Sequence, residues 1–193
     1  MNIEFSSLTP EELKYIPLTS SLIITTSEEM TLIKHDNILL DNELNDDIAV
    51  VKAKILSITS NYGKNILLIG IDPGKRIGLS LLYNYDEIDS RVVSIHKLAD
   101  LIEMLIDEID ADKVIIRVGN GDPILAFKIA YELSIRVKVD IELVDEHGTT
   151  KDNLRRGVRD KVSAKMIALR KGVRFKPSEF YTHKINHDLA LSH

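Results

Sequence analysis

The stretch ILLIGIDPGKRIGL, residues 66–79, decides the fold of the larger part of the chain. Its first six residues form an apolar run, which is typical of a central strand that is buried on both faces. A turn sequence, Asp72-Pro73-Gly74, follows, and a second strand is predicted from Ile77 to Tyr83. Two strands joined by so short a turn predict an antiparallel hairpin, with the Asp72 carboxylate at the end of the central strand.

Downstream of this hairpin, strands and helices are predicted to alternate. The order of the elements predicts an α/β domain over residues 65–193, a mixed five-stranded sheet flanked by helices. The remaining elements are a third strand from Arg91 to Ile95, an amphipathic helix from Leu98 to Ile109, a strand from Val114 to Val118, a helix from Asp122-Pro123 to Leu133, a strand from Val137 to Val144, and a last helix from Lys161 onward.

Residues 1–60 predict a separate, small α/β appendage. Thr9-Pro10-Glu11-Glu12 is a helix start, with a hydroxyl cap and proline at the first helical position. A short strand is predicted within residues 21–26, and apolar residues recur at helical spacing over residues 48–58. No residue pattern in this appendage indicates a chemistry, so its role stays open.

The composition excludes several classes of site. The 193-residue chain has no cysteine, which excludes a disulfide scaffold, a thiolate zinc site, an iron–sulfur cluster and a cysteine nucleophile. No apolar run approaches the length of a bilayer span, and the first five residues lack the pattern of a secretory signal. We therefore expect a cytoplasmic location and no membrane partner.

Three short motifs follow one another in the larger domain. GIDPG and KRIG occupy residues 70–78, VDEHGTT occupies residues 144–150, and DKVSA occupies residues 160–164. With these motifs, residues 65–172 resemble the RNase H-like superfamily, in the branch that holds the RuvC Holliday-junction resolvases and the YqgF-type pre-16S rRNA nucleases. The resemblance implies a metal-dependent endonuclease of structured RNA or branched DNA.

The resemblance also implies which residues carry the chemistry. It implies two Mg²⁺ or Mn²⁺ ions, which carboxylate oxygens hold and which activate water at a phosphodiester. Asp72, Glu146 and Asp160 would be metal ligands. The catalytic candidates are Asp72, Asp145, Glu146, Asp160 and Asp188.

Two choices among these acids remain open. Asp145 and Glu146 are adjacent, so that on an extended strand they point to opposite faces and only one can join Asp72. Either Asp160 or Asp188 would supply the last metal ligand. Asp160 is favoured because small residues share its face of the predicted helix, although an ordinary helix N-cap explains it too. Asp188 begins a segment too short to hold a helix by itself.

The formal charge of −5 is unevenly distributed. Residues 1–60 carry four Lys and Arg against ten Asp and Glu, residues 61–150 carry ten against sixteen, and residues 151–193 carry eleven against four. A basic segment beside a carboxylate site is what a phosphate backbone requires, so we expect a nucleic-acid partner. The candidate substrate-binding cations are Lys75, Arg76, Arg155, Arg156, Arg159 and Lys161.

Two other functions remain open. A RuvC-type enzyme has glutamate at the end of the fourth strand, where this sequence has Arg117, which cannot bind a cation. The alternative is therefore a catalytically inactive nucleic-acid-binding module. An actin-like ATPase is disfavoured because that fold duplicates its domain and this chain is too short. A resolvase would be a homodimer because a four-way junction is two-fold symmetric, whereas an rRNA nuclease need not be one.

Overall fold

The computed structural model describes residues 5–9, 11–15, 22–59, 63–146 and 156–178. The chain divides into two units, Met1–Gly63 and Lys64–His193. Within the described ranges, no helix is both long enough and apolar enough to cross a membrane.

Among the described residues of the first unit are a small parallel sheet and a long helix. Strand β1 spans Ile23–Thr25 and pairs in parallel with β2, which spans Ile38–Leu40. The short helix α1, Ser27–Met30, connects them, and α2 spans Ile48–Thr59. The strand and the long helix that the sequence predicts here are both present.

The helix start predicted at Thr9 is observed as a 3-10 turn, Glu12–Tyr15. The Thr9 amide and hydroxyl donate to the Glu12 carboxylate at 2.7 and 3.0 Å. The amide bond is the half of a capping box in which a glutamate three residues on accepts the N-cap amide, whereas the hydroxyl donates to that glutamate and does not cap a backbone amide.

A six-stranded mixed sheet forms the centre of the second unit. Its strands are β3 Ile66–Asp72, β4 Ile77–Tyr83, β5 Asp86–Val93, β6 Lys113–Gly119, β7 Asp140–Val144 and β8 Val173–Arg174. Their spatial order is β5-β4-β3-β6-β7-β8. β3, β6 and β7 run parallel, whereas β4, β5 and β8 each run antiparallel to a neighbour.

The prediction of five strands is wrong by one. β8 has only two residues, so it is too short to show an alternating pattern in the sequence. β5 begins at Asp86 rather than Arg91. The sequence did not predict this start, because the first residues of the strand are mostly acidic. β7 begins at Asp140 rather than Val137, since the Val137 amide still donates to the Leu133 carbonyl at the end of a helix.

The predicted hairpin is confirmed. β3 pairs with β4 in antiparallel register, with Asp72 opposite Gly78. In β3, every residue from Leu67 to Ile71 is buried, so both faces of the strand are covered, and every residue of β4 is buried too. This burial on both faces explains why the central strand has no polar residue before Asp72.

In the described part of the second unit, three helices flank the sheet. They are α3 Ile95–Glu108, α4 Pro123–Arg136 and α5 Arg156–Leu169. α3 and α4 contact each other, and α4 also contacts β6 and β7. The Asp122 carboxylate caps α4 by accepting the Leu125 amide at 3.0 Å, as the sequence predicts. α5 lies across β3 and β4 and also reaches β5 and β6.

α5 approaches the sheet at backbone distance because glycines lie beneath it. A Cβ atom at Gly70 would collide with the Ala164 carbonyl and the Ala168 side chain. One at Gly78 would collide with the Asp160 carbonyl. These two glycines therefore fix where α5 rests on β3 and β4.

The start of α5 corrects one prediction about Asp160. The helix begins at Arg156, about one turn before the predicted start at Lys161. Asp160 therefore lies inside the first turns of the helix, and the interpretation of Asp160 as a helix N-cap is wrong.

Candidate active site

Asp72 is the last residue of β3, the strand at the centre of the sheet. In the neighbouring parallel strand β6, Val118 pairs with Ile71, so the next residue, Gly119, lies beside Asp72. The carboxyl ends of parallel strands meet at this edge, which is where open α/β sheets bind ligands. Asp72 is half-buried there.

The environment of Asp72 raises its pKa to about 7. Burial is the largest cause, followed by the negative charges of Glu146 and Asp160. The Arg159 guanidinium and a hydrogen bond donated by the Ser163 hydroxyl act in the opposite direction, but they do not offset the first three effects. Three carboxylates from separate segments of the chain therefore crowd around one strand end.

Glu146 reaches this edge from the end of β7. Val144 pairs with Gly119, and the Glu146 side chain then folds back over β6. Its Oε1 atom accepts the Gly121 amide at 3.0 Å. A Cβ atom at Gly119 or Gly121 would collide with the carboxylate, so the two glycines make the room in which it lies.

The geometry distinguishes the two adjacent acids after β7. Asp145 is exposed, and its main-chain carbonyl accepts a hydrogen bond from Arg170 Nη1 at 3.1 Å. Glu146 is half-buried and is one of the charges that raise the Asp72 pKa. Of the pair, Glu146 is therefore the residue that joins Asp72.

α5 brings the third carboxylate and a hydroxyl. Asp160 rests with its main-chain carbonyl on Gly78, the residue paired with Asp72. Ser163, one turn further along the helix, is buried and donates to the Asp72 carboxylate. Ser163 was missed as a site residue, although its place in the small-residue face of the predicted helix was the available signal.

Arg117 does not lie beside Asp72. It pairs with Gly70, two residues before the end of β6. Its guanidinium donates to Glu142 on β7 and to the Ala168 carbonyl in the last turn of α5. Arg117 therefore lies inside β6, and Gly119, at the end of that strand, is the residue beside Asp72.

The described cations of the hairpin turn and of the basic segment, residues 151–193, differ in whether they form salt bridges. Lys75 and Arg76 are exposed in the turn that follows Asp72, and Lys161 is half-buried in α5. These three make no salt bridge in the described part of the chain. Lys165 and Arg174, by contrast, pair with acids of the sheet, Lys165 with Glu87 at 2.9 Å and Arg174 with Asp140 at 3.1 Å.

Some predicted residues lie outside what the structure describes. Arg155 and Asp188 are beyond the described ranges, so the choice between Asp160 and Asp188 stays a prediction. Arg156 is described only as the first residue of α5.

The donor chemistry of the site fits a divalent cation. Mg²⁺ and Mn²⁺ prefer carboxylate oxygens, and a cation would relieve the repulsion among Asp72, Glu146 and Asp160. Among the described residues, no group of three His, Asp or Glu side chains is already arranged at the spacing of metal ligands. The three acids therefore fit a cation by their chemistry and charge, and side-chain movement would be needed for all three to bind it.

No family model, curated protein or solved structure matches this chain.

Proposed function

We propose that the second unit is a divalent-metal-dependent nuclease that hydrolyses phosphodiester bonds in structured RNA or branched DNA. The observation that supports this proposal is the crowding of Glu146 and Asp160 around Asp72, which together with burial raises its pKa to about 7. Structural ion pairs lower the pKa of an acid, whereas catalytic and metal-binding acids are often crowded with like charges.

In this proposal, Asp72, Glu146 and Asp160 hold Mg²⁺ or Mn²⁺ at the end of the central strand. A metal held by these residues would supply an activated water and would stabilise the departing 3′ oxygen. The Ser163 hydroxyl orients the Asp72 carboxylate through its hydrogen bond. The Gly121 amide holds Glu146 over β6. Asp188 stays an alternative ligand in the last position.

The cations around the acids orient the substrate. Lys75 and Arg76 follow Asp72 in the hairpin turn, and Arg159 lies close enough to Asp72 to lower its pKa. Cations at these positions can hold the phosphates on either side of a scissile bond, while the carboxylates would repel those phosphates in the absence of metal. Arg155, Arg156 and Lys161 would extend this contact along the backbone.

The proposed fold family is the RNase H-like superfamily. A hairpin β3–β4 extended by β5, followed by parallel strands β6 and β7 with intervening helices, agrees with that assignment. The first-strand acid and the acid on a helix lying across the same strand agree with it too. The mixed α/β sheet alone is also compatible with other families.

The test is cleavage by the whole chain in Mn²⁺, with rRNA precursors, RNA hairpins and four-way DNA junctions as substrates. We expect Asp72→Asn to lower the rate at least about 10³-fold, because a central ligand is lost. Asp107→Asn, an exposed acid on α3, is the matched control and should cleave like the wild type. Cleavage that persists in Asp72→Asn would refute the assignment.

A second candidate is a nucleic-acid-binding module without catalysis. The observation that favours it is that the described acids do not form a ready group of three metal ligands. Calorimetric titration with Mn²⁺ distinguishes the two functions. Salt-dependent binding of nucleic acid without any Mn²⁺ binding would favour the module over the nuclease.

A further inference from the structure

The carboxyl end of α5 is held by a side chain from the middle of the sheet. Arg117 Nη1 donates to the Ala168 carbonyl at 2.6 Å, and Arg117 Nε donates to Glu142 Oε2 at 2.9 Å. The same Glu142 oxygen accepts the Gly172 amide at 3.1 Å, just after the helix. One ion pair therefore joins β6, β7, the last turn of α5 and the chain that leaves it.

This ion pair is largely shielded from water. The side chains of Arg117 and Glu142 are only 11% and 16% exposed. A guanidinium has several donors in one plane, so it can bind a carboxylate and a carbonyl at the same time. A cation at the end of a helix also interacts favourably with the partial negative charge of the last carbonyls.

The same helix carries two groups of the carboxylate site. Asp160 lies eight residues before Ala168, or about 12 Å along the helix axis. Between these positions, Ser163 donates to Asp72 and Ala164 rests on Gly70. Because a helix of this length moves nearly as a rigid body, a displacement of its last turn is transmitted to Asp160 and Ser163.

We infer that Arg117 is a positioning residue, which holds the end of α5 so that Asp160 and Ser163 stay at Asp72. The expected effect on metal binding rests on the proposed function. That Arg117 holds the end of α5 rests on its hydrogen bonds alone. Lys165, which pairs with Glu87 on β5, holds the middle of the same helix from the other side. Arg117 differs because it binds the helix backbone itself.

The test replaces both members of the ion pair, as Arg117→Met with Glu142→Met, so that no unpaired buried charge remains. Native-state hydrogen exchange is measured across α5 and β3. We expect the amides of residues 163–169 to exchange about tenfold faster, the change expected for one lost charge-assisted hydrogen bond, while β3 changes less than about twofold.

The matched control is Arg136→Met, which removes ion pairs with Asp100 and Glu103 that join α4 to α3. Exchange in α5 should not change in this control. Equal acceleration in α5 and β3 would show a merely global role for Arg117 and overturn the inference, and so would unchanged exchange in α5.

A second variant, Arg117→Lys, keeps a positive charge beside Glu142 but lacks the planar guanidinium that binds two acceptors at once. It can be measured in the same way if the double variant does not fold. It should also exchange faster in α5 than in β3, and uniform exchange would again overturn the inference. Mn²⁺ affinity should fall about fivefold or more in both variants and stay unchanged in Arg136→Met. Unchanged affinity together with faster α5 exchange would overturn the link between Arg117 and Asp160.

Failure of the proposed function has a different signature. If the wild-type protein binds no Mn²⁺, the metal proposal fails, whereas the exchange comparison still decides whether Arg117 holds α5.

Discussion

Asp72 and Glu142 are two carboxylates beside the same helix, and their pKa values shift in opposite directions. Burial and two neighbouring carboxylates raise the pKa of Asp72 to about 7. Burial also pushes the pKa of Glu142 upward, but the Gly172 amide and Arg117 more than compensate and lower it overall. The difference separates two roles. Glu142 has the partners of a structural acid, and Asp72 has the neighbours of a functional one.

The largest predicted effect on stability concerns Glu142, the structural acid of this comparison. Arg117→Met leaves the Glu142 charge shielded from water without its guanidinium, and we expect the free energy of unfolding to fall by about 3 kcal/mol in urea denaturation. Arg136→Met, whose acidic partners Asp100 and Glu103 have side chains that are 72% and 42% exposed, should lose no more than about 1 kcal/mol. Equal losses in the two variants would remove the distinction.

Gly78→Ala tests the contact that brings Asp160 to Asp72. The added Cβ would collide with the Asp160 carbonyl, so we expect about 1–3 kcal/mol of destabilisation and weaker Mn²⁺ binding. Gly74→Ala is the control, because its Cβ would only touch the Arg76 carbonyl at 3.4 Å. If both variants bind Mn²⁺ like the wild type, the close approach of α5 is not what forms the site.

Asp72→Asn tests the functional side through the pH dependence of stability. The folded protein holds the Asp72 proton more tightly than the unfolded chain, whose aspartate pKa is about 3.9. Stability is therefore lost as the pH rises from about 4 to about 7, and the penalty is complete above that range.

Without metal, Asp72→Asn should be more stable than the wild type by about 1–2 kcal/mol at pH 8, after allowance for solvent screening. The gain should vanish by about pH 4. Urea denaturation at several pH values measures it, and a variant that is less stable than the wild type at pH 8 would contradict the crowding of charges around Asp72.

The smallest predicted effect concerns substrate binding. Lys75→Ala should weaken binding of an RNA hairpin about three- to tenfold and lower the salt dependence by about one unit of slope. Lys113→Ala is the control, because Lys113 begins β6 and therefore lies at the far end of that strand from Gly119 and the carboxylate site. This variant should bind RNA like the wild type. Filter binding at several salt concentrations measures both variants. Equal weakening would mean that charge alone, without position, drives binding.

The sequence was sufficient for features that depend on local pattern. The apolar run before Asp72 and the short turn after it predict the hairpin, and the small residues after Asp160 predict a helix that lies close to the sheet. These signals reside in consecutive residues or in one helical face, so no knowledge of strand pairing is needed.

Features that depend on strand register or on contacts between distant residues could not be predicted from the sequence. Whether Asp145 or Glu146 joins Asp72 depends on how the chain turns after β7, and on the room that Gly119 leaves. The partner of Arg117 lies 25 residues away on another strand. β8 could not be predicted, because a strand of two residues shows no alternating pattern in the sequence.

We claim as a proposal that the acids crowded around Asp72 form a cation site, and NMR titration of the Asp72 carboxyl carbon would reveal it. Without divalent metal, we expect the pKa of Asp72 at about 7. With saturating Mg²⁺, the titration should move at least about two pH units lower, because the cation favours the charged carboxylate. A pKa near 4 without metal, or one that Mg²⁺ leaves unchanged, would contradict the claim.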